Sequence, residues 1–287
     1  MRAGYFGPEG TYTQEAMLAD TVGLELEAVP LPTIYDTVMA VHEGEVDRAL
    51  VPIENSLEGS VNATLDALAM ETDDVMIVGE VVHPIRHCLI ARSPLELSDI
   101  ETVVSHPQAN AQCARFIRTR LPGVRVLAGS STADAVRTVA QHDGPWAALG
   151  NRIAAERYGC VVLLAGVEDV ADNETRFVWL ARTGARPGNP RAASGEAPPG
   201  GPWKTAIVFW GVGSEAPGWL VACLAEFAER GVNLTRIESR PRKQGLGRYM
   251  FFVDLEGRED DPHVAAGLAG VREHVETVRV LGTFPAA

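Results

Sequence analysis

The sequence predicts an α/β protein of two domains, and three observations carry this prediction. Strand-like and helix-like runs alternate along residues 1–182, which is typical of helices packed on both faces of mainly parallel sheets. The segment 183–202 is half Pro or Gly and has no bulky apolar residue, which predicts a linker. Residues 203–287 then follow the order βαββαβ, which indicates a ferredoxin-like module.

The first domain alternates regularly enough for each element to be assigned. Strands are predicted at residues 3–6, 26–29, 48–53, 75–82, 102–105, 124–127, 146–149, 161–164 and 177–180, and helices near 14–20, 34–43, 61–70, 109–120 and 133–142. The β-rich runs 75–92 and 161–182 are long enough to pass from one lobe to another and back. We therefore expect two lobes with a cleft between them.

The second domain has a different pattern. Strands are predicted at residues 205–210, 233–239, 248–255 and 277–281, and helices at 218–230 and near 263–274. In the first of these helices, Leu220, Leu224 and Phe227 are spaced to share one apolar face. A glycine-bearing turn joins the two middle strands into a hairpin.

A glycine pattern in this domain imitates a dinucleotide-binding loop, because Gly211-x-Gly213-x-x-Ala216 follows a strand and precedes a helix. About 70 residues remain after it, too few for a doubly wound sheet, and the following strands form an antiparallel hairpin. We instead expect Gly213 and Gly218 to form a tight turn, with Pro217 at the first helical position.

Composition excludes several classes of function. The net charge of −13 argues against binding to nucleic acid, which needs a basic face. No apolar stretch approaches the roughly 20 residues that span a bilayer, and the N-terminus lacks a signal-like segment. The four widely spaced cysteines form no CxxC pair, and no metal-binding pattern is present. We expect a cytoplasmic protein with no metal, no membrane contact and no nucleic-acid partner.

Four short polar motifs, each placed where a predicted strand ends, are expected to meet in one site. They are Gly7-Pro8-Glu9-Gly10-Thr11-Tyr12-Thr13-Gln14, Pro52-Ile53-Glu54-Asn55-Ser56-Leu57-Glu58-Gly59, Ser105-His106-Pro107-Gln108 and Asn173-Glu174-Thr175-Arg176-Phe177. Ligands of open α/β sheets bind beyond the carboxyl ends of the strands. Hydroxyls, amides and a single Arg suit a small carboxylate ligand better than a metal or a nucleotide.

These motifs, in this order and followed by a βαββαβ module, resemble the monofunctional prephenate dehydratases with a C-terminal ACT domain. The resemblance covers nearly the whole chain. It implies a two-lobed catalytic domain like type II periplasmic binding proteins at 1–182, a linker at 183–202 and a regulatory ACT domain at 203–287. The implied reaction converts prephenate to phenylpyruvate, carbon dioxide and water without a cofactor. Alternatives are an arogenate dehydratase, a prephenate decarboxylase that does not aromatise its substrate, and a non-catalytic amino-acid-binding module.

The resemblance also implies roles for individual residues. Catalytic roles are expected for Thr175, Glu54, Asn55, Ser105 and Gln112, and substrate binding for Arg176, Thr11, Gln14, Ser56, His106, Gln108 and Phe177. Thr175 would donate a hydrogen bond to the leaving hydroxyl. Arg176 would hold a substrate carboxylate, because its planar guanidinium matches carboxylate geometry.

Simpler roles compete with several of these assignments. Arg176 could form a salt bridge with Glu174 or Asp172 instead, and Glu54 could be a general acid or a helix cap with equal weight. Thr11 could be only an N-cap, and His106 could only shape the turn before Pro107.

The ACT resemblance implies phenylalanine as an effector, bound between subunits of a homodimer or homotetramer. The residues expected to contribute are Gly218, Trp219, Leu220, Asn233, Leu234, Glu238, Ser239 and Arg240. Trp219 stands where the family usually has a small residue. A ring pointing into the effector pocket or filling an interface would weaken phenylalanine inhibition, whereas a ring pointing outward would preserve it.

Overall fold

The computed structural model describes residues 1–188, 190, 201–211 and 216–287. Most of the predicted linker and Gly213 therefore lie outside the described residues. Within the described part of the chain, three separate sheets are present, two in the first domain and one in the second. In these same ranges no helix has the length and apolar character needed to cross a membrane.

The first lobe is built on a mixed sheet with the order β2-β1-β3-β11-β5, and β4 pairs with the end of β3. Its strands are β1 (Arg2–Phe6), β2 (Glu27–Leu31), β3 (Arg48–Asn55), β4 (Gly59–Ser60), β5 (Val75–Pro84) and β11 (Glu174–Arg182). β1 runs parallel to β2 and β3, but β11 runs antiparallel to both β3 and β5. The prediction of mainly parallel sheets is wrong here, because β11 returns from the other lobe in the opposite direction.

The second lobe has a sheet of its own, with the order β10-β6-β9-β7-β8. Its strands are β6 (Cys88–Ala91), β7 (Thr102–Ser105), β8 (Arg125–Ala128), β9 (Trp146–Gly150) and β10 (Val161–Ala165). β7 is parallel to its two neighbours, whereas β6 is antiparallel to β9 and β10. Two crossovers, residues 85–87 and 166–173, join the lobes. The expectation that the two long β-rich runs pass between lobes is confirmed.

The helices of the first domain cover both sheets. They are α1 (Tyr12–Asp20), α2 (Ile34–His42), α3 (Asn62–Asp66), α4 (Pro107–Gln112), α5 (Ala114–Arg120), α6 (Thr132–Ala140) and α7 (Arg152–Arg157). The predicted helix 109–120 is two helices, because Cys113 leaves helical geometry with φ −114° and ψ 15°. The predicted helix 61–70 continues past α3 as a π-helical turn over Ala67–Glu71. The sequence analysis missed α7, which is only six residues long.

The second domain has the predicted βαββαβ order, and the α/β fold class is confirmed. Its elements are β12 (Trp203–Trp210), α8 (Trp219–Ala228), β13 (Leu234–Pro241), β14 (Tyr249–Glu256), α9 (Pro262–His274) and β15 (Thr277–Pro285). The antiparallel sheet has the order β13-β14-β12-β15. α8 begins after Gly218, which is the N-cap with φ 83°. Pro217 therefore precedes the helix and is not at its first position, contrary to the prediction.

One face of the second domain's sheet packs on the first lobe. A single hydrophobic core contains Ile77 and Val178 from the first lobe together with Val208 and Phe252 from the second domain. β15 crosses β5 so closely that a Cβ on Gly282 would lie 2.0 Å from the Ile77 carbonyl oxygen. This packing fixes the second domain against the strands that carry two of the polar motifs.

Candidate functional site

A cavity of about 320 Å³ lies between the two lobes, and all four polar motifs reach it. Seven predicted site residues line it, namely Thr11, Asn55, His106, Gln108, Gln112, Thr175 and Phe177. Seven further polar residues line it that were not predicted as site residues, namely Tyr12, Thr13, His87, Ser130, Ser131, Thr132 and Asn173. None of the described lining residues is Asp, Glu, Lys or Arg, so the cavity offers neutral donors and acceptors.

The N-terminus of α1 forms one wall of the cavity. The Thr11 hydroxyl accepts a hydrogen bond from the Gln14 amide over 3.4 Å and donates one to the Phe6 carbonyl over 3.0 Å. Thr11 is thus an N-cap and a lining residue together. Gln14 does not line the cavity, because its side-chain oxygen accepts from the Gly10 amide at 2.6 Å and supports the preceding loop.

The N-terminus of α6 forms the facing wall. Ser131 caps this helix by accepting from the Asp134 amide at 2.9 Å, and Ser130 and Thr132 lie beside it in the lining. A Ser-x-x-Asp sequence directly after a predicted strand is the signal that could have revealed this wall. Helix N-termini carry partial positive charge, so α1 and α6 together favour an anionic ligand.

In the motif that begins at Ser105, His106 reaches the cavity but Ser105 does not. His106 lines the cavity, and its Nδ1 accepts from the Gln108 amide at 3.3 Å, so it also shapes the turn. Ser105 is fully buried and donates to the Leu149 carbonyl at 2.7 Å, outside the lining. The expected catalytic contact of Ser105 is therefore corrected to a role in holding the strand ends together.

Asn55 and Thr175 lie side by side on neighbouring strands at the cavity floor. The Asn55 side-chain oxygen accepts from the backbone amides of Leu57 and Glu58, both at 3.1 Å, which leaves its NH₂ group to donate. That group donates to the Thr175 hydroxyl oxygen at 2.9 Å. Because Thr175 accepts this bond, its own hydroxyl proton is available to a ligand in the cavity.

A second branch of the network leads from Asn55 to the other lobe. The two hydrogens of the Asn55 NH₂ are shared with two further acceptors, the Asn173 side-chain oxygen at 2.8 Å and the Glu174 carbonyl oxygen at 3.0 Å. The Asn173 NH₂ donates to the Gln112 side-chain oxygen at 3.2 Å. His87 Nε2 lies 2.8 Å from the same Gln112 oxygen. Among the described residues, the Gln112 NH₂ group has no hydrogen-bond partner, so it can donate to a ligand.

His87 and Tyr12 complete this network. The Tyr12 hydroxyl lies 2.8 Å from His87 Nδ1 and 3.0 Å from the Arg86 carbonyl oxygen, and the two rings meet edge to face. Burial lowers the pKa of His87 and raises the pKa of Tyr12 well above its ordinary value. Both side chains are therefore neutral near pH 7.

Arg176 does not reach the cavity, although it follows Thr175 directly. Successive side chains of a strand point to opposite faces, so Arg176 points towards the second domain. Its guanidinium contacts the Glu80 carboxylate at 2.6 Å and the Asp254 carboxylate at 2.5 Å. This corrects the expectation that Arg176 binds a ligand carboxylate. It also corrects the alternative, because the partners are neither Glu174 nor Asp172.

Glu54 and Ser56, the neighbours of Asn55, also lie outside the cavity lining. The Glu54 carboxylate is 3.6 Å from Arg176 and 3.8 Å from Arg236 of the second domain, so Glu54 is neither a helix cap nor placed to protonate a ligand. The Ser56 hydroxyl accepts from the Glu174 amide at 3.0 Å and holds the strand that carries Thr175.

The residues expected at the effector site divide between the two faces of the second domain's sheet. Glu238 and Arg240 face the first lobe, where Glu238 accepts from Ser60 at 2.9 Å and Arg240 contacts Asp66 at 3.0 Å. Ser239 points the other way and pairs in register with Phe251. Gly218, Leu220, Asn233 and Leu234 lie at the start of α8 and at the turn into β13.

Trp219 packs inside its own domain. Its ring centroid lies 6.1 Å from that of Phe209 and 5.9 Å from that of Phe251, and its indole NH donates to the His274 carbonyl at 2.7 Å. The ring therefore packs on the sheet face away from the first lobe and stays partly exposed. It occupies space beside Phe251 on the face that also bears Ser239.

The described residues contain no group of three or more His, Cys, Asp or Glu side chains arranged to hold a metal ion. The cysteines are not activated as nucleophiles, since burial raises the pKa of the Cys113 thiol to about 12 and that of Cys223 to about 11. The chemistry available to the cavity is hydrogen bonding by hydroxyls, amides and imidazoles.

Comparison with known proteins assigns the chain to a family. The family model described as prephenate dehydratase matches residues 3–185, and the model of the ACT domain matches residues 215–270. A prephenate dehydratase of Amycolatopsis methanolica is 40% identical over the whole of this chain and 89% of its own length.

Two solved structures are similar over nearly the full chain. A prephenate dehydratase of Arthrobacter aurescens in complex with L-Phe is 36% identical, with a TM-score of 0.87 over 99% of this chain and 90% of that one. GqqA, described as a novel type of quorum quenching acylase, is 30% identical, with a TM-score of 0.85 over 100% and 98% of the two chains. On the sequence match, the domain order and the cavity between the lobes, this chain belongs to the prephenate dehydratase family and carries an ACT domain.

Proposed function

We propose that this cavity converts prephenate to phenylpyruvate, carbon dioxide and water, with Thr175 assisting the departure of the hydroxyl. The observation that carries the proposal is the Asn55–Thr175 hydrogen bond, which commits the Thr175 oxygen as an acceptor and leaves its proton for the substrate. Family membership supports the substrate, and the cavity supports the role of each residue.

The substrate supplies most of the driving force, because loss of carboxylate and hydroxyl produces an aromatic ring. The protein has to hold a dianion, stabilise the leaving hydroxide and take the departing carboxylate out of water. Thr175 can donate to the hydroxide as negative charge develops on it. A hydroxyl donor needs no unusual pKa for this role, since a hydrogen bond that strengthens in the transition state is sufficient.

The two carboxylates are held by neutral donors. The amides at the N-termini of α1 and α6 and the hydroxyls of Thr11, Ser130 and Ser131 lie on facing walls of the cavity. Gln108 and Gln112 add side-chain NH₂ groups from the second lobe. Such donors attract anionic oxygens without the strong desolvation cost of a buried Arg or Lys.

The lining favours prephenate over arogenate. Arogenate carries an ammonium group in place of the keto oxygen, and an ammonium group in a dry site needs a carboxylate partner. The described lining contains no Asp or Glu, whereas the hydroxyls and amides present can donate to a keto oxygen.

An acylase activity, as described for GqqA, is not favoured by this geometry. Acyl transfer needs a hydroxyl or thiol nucleophile hydrogen-bonded to a base. Within the described part of the chain, the two lining histidines bond to Tyr12, Gln112 and the Gln108 backbone amide, and neither contacts a Ser, Thr or Cys side chain. The Tyr12 hydroxyl is a poor nucleophile, because burial raises its pKa.

The test is an assay of purified protein with prephenate, in which phenylpyruvate is followed by its ultraviolet absorbance in base. Parallel reactions contain arogenate, with phenylalanine as the expected product, and an acyl-homoserine lactone. We expect turnover of prephenate and much weaker turnover of the other two compounds. Preference for either of the others, or loss of carboxylate without formation of an aromatic ring, would contradict the proposal.

The second domain supports a regulatory role for phenylalanine in a homodimer or homotetramer. The Arthrobacter aurescens relative was solved in complex with L-Phe, and β13 forms an edge of the ACT sheet on which Ile237 is 47% exposed. An edge strand has unpaired backbone donors and acceptors that can pair with a second copy. Light scattering at micromolar concentration checks this, and a monomer would contradict it.

A further inference from the structure

His87 lies at the cavity floor, and the chemistry proposed above gives it no part. The residue is only 2% exposed and sits in the first crossover between the lobes. Its imidazole is held on one side by Tyr12 of the first lobe and on the other by Gln112 of the second lobe, with both contacts at 2.8 Å. A buried side chain held this tightly between two lining residues controls how they are oriented.

The orientation of the three side-chain amides in this network, and with it the protonated nitrogen of His87, follows from two backbone groups. The amides of Leu57 and Glu58 can only donate, so the atom of Asn55 that faces them is its carbonyl oxygen. The Asn55 NH₂ therefore faces Asn173, whose oxygen must accept. The hydrogen bonds to these backbone amides therefore determine which side-chain atom of each Asn or Gln is the oxygen and which is the nitrogen.

The same argument determines which ring nitrogen of His87 carries a hydrogen. The Asn173 NH₂ faces Gln112, so the Gln112 oxygen is the acceptor at that contact. His87 Nε2 meets this oxygen and must carry a hydrogen. In a neutral imidazole Nδ1 then lacks a hydrogen and can only accept, and it shares the single Tyr12 hydroxyl proton with the Arg86 carbonyl oxygen.

We propose that His87, as the neutral Nε2–H tautomer, is a positioning residue that holds Gln112 with its NH₂ group directed at an anionic oxygen of the substrate. This inference rests on the proposed function for the identity of that substrate. The opposite tautomer would attract the Gln112 NH₂ group and turn its carbonyl oxygen towards the anion. That arrangement would repel the ligand and would also break the bond from Asn173.

The first experiment is independent of turnover. Nitrogen-15 NMR of histidine-labelled protein distinguishes a protonated from an unprotonated ring nitrogen, and the His87 signals are assigned by their absence in the His87→Gln variant. We expect Nε2 to carry the hydrogen and Nδ1 to be bare near pH 7. A spectrum that shows the Nδ1–H tautomer overturns the inference whether or not prephenate is a substrate. The expected tautomer without any conversion of prephenate would instead refute the proposed function.

The second experiment is a double-mutant cycle with prephenate. His87→Met removes the donor but keeps a long side chain, and we expect kcat/KM to fall about tenfold or more. His87→Gln retains an NH₂ donor near the position of Nε2 and should stay within about threefold of the native protein. In a Gln112→Ala background, His87→Met should cost almost nothing further, because its effect acts through Gln112. Additive losses would show that His87 serves only general packing. Circular dichroism and thermal unfolding of each variant confirm that folded proteins are compared.

Discussion

The Asn55 side-chain NH₂ group donates to the Thr175 hydroxyl oxygen over 2.9 Å across two adjacent strands. This contact gives Thr175 a defined direction, because an oxygen that already accepts one strong donor orients its own proton elsewhere. The proton that remains can enter the cavity. Two residues that are 120 positions apart in sequence therefore act as one hydrogen-bonding unit.

Substitutions of Thr175 test the role of the hydrogen-bonded pair Asn55–Thr175. Thr175→Ala removes the donor to the leaving hydroxyl, and we expect kcat to fall about 10²–10³-fold, the usual loss for one transition-state donor. Thr175→Ser keeps the hydroxyl and is the matched control, with activity close to native. Steady-state kinetics with prephenate measure both variants. Near-native turnover by Thr175→Ala would reject Thr175 as the key donor.

Arg176 should affect stability more than substrate binding. Arg176→Met leaves the buried Asp254 carboxylate without a cation, although Glu80 keeps Lys204 at 2.7 Å, and should cost about 3–5 kcal/mol of unfolding free energy. KM for prephenate should change little. Glu54→Gln, which alters a partly exposed partner of the same guanidinium, is the control and should cost less than about 1 kcal/mol. A raised KM for prephenate, together with an unchanged free energy of unfolding in urea, would instead show that Arg176 binds the substrate.

Acidification should destabilise the protein through His87. Burial lowers the pKa of His87 below its ordinary value of 6.5, although Gln112 and the carboxylate of Glu168 oppose this. The unfolded chain then binds the proton more readily than the folded protein. The stabilising contribution is complete above pH 6.5 and is lost as the pH falls towards the lowered pKa.

Urea unfolding of the native protein and of His87→Gln, at about pH 7.5 and about pH 5.5, measures this effect. We expect the native protein to lose more unfolding free energy on acidification than the variant loses. Equal losses in both proteins would show that other groups account for the pH dependence.

Trp219 should weaken phenylalanine inhibition. Its ring fills the space beside Phe251 on the sheet face that bears Ser239, where a small residue would leave room. An effector shifts a population only through differential affinity, so weak binding gives weak inhibition. We expect Trp219→Ala to lower the phenylalanine concentration for half-inhibition by about fivefold or more. Strong inhibition of the native protein, unchanged by the substitution, would oppose this role.

A side chain added at Gly282 should disrupt the packing between the two domains. A methyl group there would meet the Ile77 carbonyl oxygen at 2.0 Å, so Gly282→Ala should cost about 1–3 kcal/mol and should loosen both domains together. Gly129→Ala, whose added carbon would meet nothing closer than 3.6 Å, is the control.

Calorimetry should show one transition in the native protein, because both domains share a hydrophobic core. Two well-separated native transitions would contradict this.

The sequence was sufficient to predict most elements, the two lobes and the motifs that meet in the cleft, because these follow from periodicity and from strand ends, but not the short helix α7 or the antiparallel direction of β11. It was less successful within each motif. Thr175 and Arg176 were both expected at the ligand, yet adjacent strand residues cannot share a face. The same alternation separates Asn55 from Glu54. His87 was missed because it lies in a short crossover, where no periodic pattern marks its direction.

The two crossovers also determine how the cleft could close. Lobes that are joined at residues 85–87 and 166–173 can rotate only about a line through those connections, as in hinge motions of other two-lobed proteins. His87 and Asn173 lie on that line, so the amides and hydroxyl that they orient hardly move during rotation. The donors that His87 and Asn173 orient would thus be in place before the substrate arrives and would stay in place if the lobes rotated.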